Sequence, residues 1–181
     1  MAGKDRKIPI GKVARAHGMK GEVKVLPYPL LNFEIITQIS RFYRRLAPNE
    51  FGLLEPEGIR QAPGEGFLIK FKGIDDRNAA ESLHDEELFV NIEDLPPKEE
   101  DEFYVFELVG LKVVLPDGKE LGEVVGLMPV GPYELLEIKV APRKTIYLPM
   151  IEDIISEIDL EKGVIHVTLT PDLLESQGVE V

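Results

Sequence analysis

The stretch Ile10-Gly11-Lys12-Val13-Ala14-Arg15-Ala16-His17-Gly18-Met19-Lys20-Gly21-Glu22-Val23-Lys24-Val25 sets small, basic and apolar residues on either side of a turn holding two glycines. Strands are predicted over residues 8–16 and 22–28, joined by His17-Gly18-Met19-Lys20-Gly21. The reason is that strand side chains alternate faces and glycine supplies the positive φ of a tight connection. Working outward, Phe67, Ile69 and Phe71 alternate with Leu68, Lys70 and Lys72, the period-two pattern of a strand with one face on a core. Residues 87–92 read as a further strand. Between these two, residues 75–83 start on an acid suited to an N-cap and carry two alanines and no breaker, which predicts a short helix. The front of the chain is therefore expected to be mainly β with one helix.

Glu93-Asp94-Leu95-Pro96-Pro97-Lys98-Glu99-Glu100-Asp101-Glu102 breaks this pattern. Two prolines remove backbone donors and stiffen the chain, and the acids keep it in water. The expected organisation is a domain over residues 8–92, a linker of proline and acid over 93–101, and a second domain over 102–176. Short strands follow the linker at residues 103–106, 111–115, 121–128, 135–140, 145–148 and 164–169. Pro116-Asp117-Gly118-Lys119 and Glu161-Lys162-Gly163 mark hairpins, since Asp-Gly and lone glycine favour left-handed positions. So many short strands at close spacing predict a small barrel, which closes its own edges. Thr170-Pro171-Asp172-Leu173-Leu174-Glu175 reads as a helical turn with Thr170 at the N-cap and proline at the first position.

Composition narrows the function. The chain has 181 residues, 44% of them hydrophobic, with neither Cys nor Trp. That is enough apolar material for a core, and it excludes disulfides, thiolate metal sites and Cys nucleophiles. No run approaches the ~18 apolar residues that span a bilayer, and the charged start precedes no apolar signal segment, so a cytoplasmic location is expected. The formal charge is −12, from 21 basic and 33 acidic residues. This charge is unevenly placed: residues 1–98 are neutral, and residues 99–181 carry the whole −12. Within residues 1–45, ten bases (Lys4, Arg6, Lys7, Lys12, Arg15, Lys20, Lys24, Arg41, Arg44, Arg45) face Asp5, Glu22 and Glu34, a net +7. The front suits phosphate and the rear suits a basic protein. Solubility or adaptation to heat explains the acid surplus equally well.

Catalytic groups are sparse. His17, His84 and His166 stand 67 and 82 residues apart, without metal-ligand spacing. Neither a phosphate-binding GxxxxGK[ST] loop, nor a dinucleotide-type GxGxxG, nor a GxSxG nucleophile elbow is present. The carboxylate runs at residues 99–102 and 152–153 fit solvated charge. No catalytic residue, cofactor or metal is expected. The turn of the opening stretch has two readings that physics alone leaves open: an ordinary glycine-rich hairpin, or a cationic loop of Arg15, His17 and Lys20 beside flexible backbone able to approach phosphate or a protein groove.

Arg15, His17, Gly18, Gly21, Glu22, Val23, Lys24 and Val25, near the N-terminus, resemble the opening motif of the ribosome maturation factor RimM family. Gly73-Ile74-Asp75-Asp76-Arg77-Asn78-Ala79-Ala80-Glu81-Ser82-Leu83 with Glu87-Leu88-Phe89-Val90 is similar to that family's helix and closing strand. Glu102-Phe103-Tyr104, Leu108-Val109-Gly110-Leu111-Lys112-Val113, Asp117-Gly118, Leu121-Gly122-Glu123-Val124, Leu148-Pro149-Met150 and Leu173-Leu174-Glu175 resemble its PRC-barrel half in the same order.

The resemblance implies two small β-barrel domains, a six-stranded barrel of the translation-factor type with one helix followed by a PRC barrel. It also implies a non-catalytic factor that binds the small ribosomal subunit through a head ribosomal protein, the nineteenth of that subunit. Such a factor assists assembly of the head and processing of 16S rRNA, acts as a monomer and needs no membrane. The family's adjacent aromatics for ribosome binding correspond to Phe103 and Tyr104, the first replacing the usual Tyr. As neighbours in a strand, one of them would face away from the core. The contact loop implied for rRNA or partner comprises Arg15, His17, Gly18, Lys20 and Gly21. A second departure from the family pattern is Pro132-Tyr133-Glu134-Leu135-Leu136, where polar residues are usual. The rival readings are a PRC-barrel protein of electron transport or metabolism, and an enzyme with an unrecognised carboxylate site.

Overall fold

The computed structural model describes residues 5–100, 102–169 and 171–179. Lys4 of the basic front, Asp101 of the linker and Thr170, the expected N-cap, lie outside the described residues. The chain divides into two compact units, Met1–Glu102 and Phe103–Val181. Each is built mainly of β-strands around one sheet.

In the first unit the strands are β1 (Lys7–His17), β2 (Glu22–Pro27), β3 (Phe42–Ala47), β4 (Glu50–Leu54), β5 (Pro56–Gln61), β6 (Phe67–Phe71) and β7 (Glu87–Asn91). They lie in the order β4-β3-β7-β1-β2-β6-β5, every neighbouring pair antiparallel. The sheet has seven strands where six were expected. Phe51-Gly52-Leu53-Leu54 and Pro56-Glu57-Gly58-Ile59 lack clean alternation, and each contains a glycine that weakens the sequence signal. Among the described residues of this unit there are also two α-helices instead of one. The expected helix is α2 (Arg77–Glu81), where the Asp76 carboxylate accepts from the Ala79 N–H at 2.8 Å. The additional α1 (Phe33–Thr37) is capped in the same way by Asn32, which accepts from the Ile35 N–H at 2.9 Å. Such a cap satisfies a backbone donor that the first helical turn leaves open.

β1 runs through the middle of this sheet, pairing with both β7 and β2. Val13 lies opposite Val25, but the next pair is Arg15 opposite Lys24, so Ala14 is an extra residue forming a bulge. Strict alternation from Val13 would turn Arg15 into the core. The bulge reverses the faces, so that Ala16 is buried beside Val23 and Arg15 is exposed. Beneath lie Ile10, Val13, Val23, Val25, Phe42, Phe67, Ile69 and Phe71, all at most 1% exposed. Phe42 and Phe71 meet edge to face with ring centroids 5.9 Å apart, a favoured aromatic geometry. Truncating either ring to Ala would cost roughly 3–5 kcal/mol.

The second unit contains β8 (Lys112–Val114), β9 (Glu120–Val130), β10 (Tyr133–Ala141), β11 (Lys144–Pro149), β12 (Ile155–Asp159) and β13 (Val164–Val167). They lie in the order β11-β10-β9-β8-β13-β12, with β8 and β13 parallel. Both expected turns are present. Gly118 has φ +86° and Gly163 φ +71°, and the carboxylates of Asp117 and Asp159 each accept a backbone N–H at 2.9 Å.

Two expectations fail. Residues 103–106 do not form a strand; they lead into α3 (Val105–Leu108), because the Tyr104 N–H donates to the Glu107 carboxylate at 2.8 Å and starts a helical turn. A continuous apolar run does not distinguish helix from strand by period. The strand β12 is absent from the sequence expectation because a bulge between Ile155 and Glu157 breaks its alternation. Leu108, Val113, Val124, Leu136, Ile138, Ile146, Leu148, Ile165, Val167 and Leu174 form the core, to which α4 (Pro171–Ser176) contributes the last.

The β1–β2 turn is held by its second glycine. Gly21 has φ +87°, and a Cβ there would stand 1.9 Å from the Ile74 carbonyl oxygen. Gly18 has φ +64° with nothing within 4 Å of its would-be Cβ. Gly21→Ala is therefore expected to lose more than ~3 kcal/mol, strain and collision adding, and Gly18→Ala about 1–2 kcal/mol. Urea unfolding of both variants checks this; equal losses would mean that the turn is not packed against Ile74.

Candidate functional site

The β1–β2 turn gathers Arg15, His17, Gly18, Lys20 and Gly21 at one end of the first sheet. Register decides which side chains share a face. Arg15 stands opposite Lys24, and His17 opposite Glu22, all on the side away from the core. Like charges directly opposite one another oppose strand pairing. Lys24 reaches the Pro63 carbonyl at 3.4 Å, while Arg15 has no ion-pair partner among the described residues.

Two residues from elsewhere in the unit complete the turn. Arg77 on α2 donates from Nη1 to the Gly18 carbonyl at 3.3 Å and from Nε to Glu81 at 2.9 Å. Arg60 on β5 grips Glu22 with two bonds, 3.0 Å from Nε and 2.8 Å from Nη2. Sequence reasoning did not single out Arg60 or Arg77, and the signal was absent, because β5 meets β2 only through the intervening β6. The hydrogen bond from Arg60 holds the Glu22 carboxyl below its ordinary value of 4.5, helped by the charges of Arg60, His17 and Lys20 and opposed by partial burial. With Glu22 committed to Arg60, the cations around it remain available.

Phe103 and Tyr104 sit in the second unit, at the entry to α3. Phe103 is half-buried and packs against that unit's core. Tyr104 is half-buried and stacks on Phe106, with centroids 5.5 Å apart and planes inclined by 12°. The two aromatics thus have different surroundings, though by helix entry and not by strand alternation. Pro132-Tyr133-Glu134-Leu135-Leu136, the stretch that departs from the family pattern, opens β10 after Gly131 at φ +60°. Tyr133 there is 61% exposed, beside exposed Met128 and Val130.

Among the described residues no group of three or more His, Asp or Glu is placed to hold a metal ion, and no helix is long and apolar enough to cross a membrane. His17 lies in the β1–β2 turn, and His84 faces Asp85 at 3.4 Å.

Fold and surfaces together define a mainly β protein of two units, with cations displayed on the first and an aromatic pair at the start of the second. Residues 8–95 match the RimM N-terminal domain model, and residues 105–173 the RimM PRC barrel domain model. The chain belongs to the RimM family. A protein named Ribosome maturation factor RimM from Thermotoga neapolitana is 38% identical over 156 residues, 85% of this chain and 86% of that one. Another of the same name, from Prochlorococcus marinus, is 36% identical over 177 residues, 97% of this chain and 99% of that one. A solved structure of a 16S ribosomal RNA processing protein RimM from Pseudomonas aeruginosa aligns with 92% of this chain and 99% of its own, at 26% identity and a TM-score of 0.44.

The Glu22–Arg60 pair has a pH signature. Its stabilising effect is complete above the ordinary glutamate range and disappears as pH falls through the lowered folded-state value. Arg60→Gln should raise the Glu22 midpoint in a side-chain carboxyl NMR titration and remove that part of the acid sensitivity of unfolding. An unchanged midpoint would mean that Arg60 is not the main cause.

Proposed function

We propose that this chain is a cytoplasmic ribosome maturation factor that acts by binding, not by bond-making chemistry. It engages the immature small subunit through a head ribosomal protein, the nineteenth, and so assists assembly of the head and processing of 16S rRNA. Both sheets are taken to close as barrels, of the translation-factor type in front and the PRC type behind, separated by the linker at 93–101. The observation that carries this reading is the match of both units, in order, to the two RimM domain models, with relatives named as ribosome maturation factors aligned over most of their length.

The charge distribution supports a division of labour. The second half carries the entire −12 and suits a basic ribosomal protein, whereas the turn with Arg15 and Lys20 suits phosphate. Tyr104 is the contact residue of the pair and Phe103 the packing residue, a division supported by Phe103 lying on the core. Contact aromatics of this kind supply much of the binding energy of an interface when they fill a pocket on the partner.

Two variants test this in co-sedimentation with purified small subunits. Tyr104→Ala should weaken binding about tenfold while the urea midpoint stays near wild type, and Phe103→Leu should retain binding. Arg15→Gln with Lys20→Gln should flatten the salt dependence by roughly 0.7–0.9 in log–log slope for each phosphate no longer neutralised. Wild-type affinity for Tyr104→Ala would remove the aromatic assignment, and an unaltered salt slope would leave the turn an ordinary hairpin.

A further inference from the structure

A second cationic surface lies at the other end of β1. Lys7 and His17 bound that strand, about 30 Å apart at ~3.3 Å per residue. Near Lys7 the register brings together residues from four strands. Pro9 on β1 lies opposite Phe89 on β7, Phe89 lies beside Tyr43 on β3, and Arg45 on β3 faces Phe51 on β4. Strand alternation puts Tyr43 and Arg45 on one face of β3, away from Phe42 and the core.

These side chains touch one another. The Lys7 ammonium stands 4.9 Å from the centroid of Tyr43 and 5.1 Å from that of Phe51. The Arg45 guanidinium stands 5.0 Å from the centroid of Phe89 and 5.7 Å from that of Phe51. Phe51 and Phe89 meet edge to face at 5.2 Å. A π face attracts a cation but adds no negative charge, so a cation held this way keeps its full charge for another ligand. Surrounding cations differ: Arg41 is bonded to Asp94, and Arg44 faces Glu86 at 3.5 Å. Arg6 and Arg45 have no ion-pair partner among the described residues, and Lys7 shares Asp5 with Asn91.

Arg6, Lys7, Tyr43, Arg45, Asn49 and Phe51 line an open cleft of about 560 Å³, within the range of small-ligand sites. Three cations against one carboxylate, with aromatic rings in the wall and an amide at the rim, match the parts of a nucleotide: phosphate, base face and base edge. We propose that this cleft binds a segment of single-stranded RNA, with phosphates on Arg6 and Arg45 and a base that displaces the Lys7 ammonium to stack against the Tyr43–Phe51 wall. The site is separate from the β1–β2 turn, and the preference for RNA over other anions rests on the reading of the chain as a ribosome maturation factor. With cations at both ends of β1, the first unit has two points for phosphate backbone, one at each end of its central strand.

The test uses the full chain and fluorescein-labelled ten-nucleotide oligo(U) and oligo(A) in anisotropy titrations at graded salt, with inorganic phosphate as competitor. The wild type should bind both oligomers, oligo(A) more tightly because purines stack better. Arg6→Gln with Arg45→Gln should lose at least about tenfold in affinity and flatten the log–log salt slope by about 1.4, the effect of two single-strand phosphates. Phe51→Leu, which keeps the apolar packing, should abolish the preference for oligo(A). Arg15→Gln with Lys20→Gln should leave the preference for oligo(A) in place, because that preference is set at the Tyr43–Phe51 wall and not at the turn. On adding oligomer, the backbone amides of Lys7, Arg45, Asn49 and Phe51 should shift in NMR spectra whether or not those of residues 15–21 also move, a readout that needs no variant. Absence of oligomer binding at low salt, shifts confined to the β1–β2 turn, or millimolar phosphate displacing RNA one for one would each overturn the proposal. Co-sedimentation with small subunits reports separately on the maturation role, so either reading can fail without the other.

Discussion

One inserted residue, Ala14, sets the functional layout of the first unit. β1 is the central strand, fixed on one side by β7 and on the other by β2, so its facing pattern is imposed on its neighbours. By adding one residue against β2, the bulge lets Val13 and Ala16 both face inward although they are three apart, and it turns Arg15 and His17 outward. A one-residue change of register exchanges every side chain between faces, and an arginine directed into a core of Val, Ile and Phe would carry an unpaired charge out of water. The displayed cations of the turn thus follow from backbone geometry and not from the presence of basic residues alone.

Electrostatics then divides those cations into two kinds. Some are neutralised locally, as Arg60 is by Glu22, Lys70 by Asp75 and Glu57, and Arg41 by Asp94. Others are held by backbone carbonyls or aromatic faces, as Lys24 and Arg45 are, and keep their charge. The first kind ties strands together: Arg60 reaches Glu22 across β6, and Lys70 ties β6 to Glu57 on β5. The second kind is oriented but uncompensated, which is the condition for meeting phosphate. A formal charge of zero over residues 1–98 conceals this, because a sum does not record which charges are in contact.

In the second unit a short helix takes the place expected of a strand, and this changes the meaning of the aromatic pair. In a strand, Phe103 and Tyr104 would differ by the pleat. At a helix entry they differ because Phe103 packs on the core, whereas the Tyr104 N–H is taken by Glu107 and its ring stacks on Phe106. Stacking of this kind fixes the plane of the Tyr104 ring.

From the amino-acid order alone came the mainly β class, the β1–β2 hairpin, helix α2 and the turns at Gly118 and Gly163. Each of these rests on a local period, a cap or a glycine at a positive φ, all of which lie within a few neighbouring residues. The motif-bearing turn was legible for the same reason. Tertiary structure decided the rest: strands β3 to β5 and β12, whose alternation is interrupted by glycine or a bulge; the pairing of Glu22 with Arg60; and the gathering of Lys7, Tyr43, Arg45, Phe51 and Phe89 from four strands. These depend on which strands lie side by side, a non-local property that no window of sequence contains.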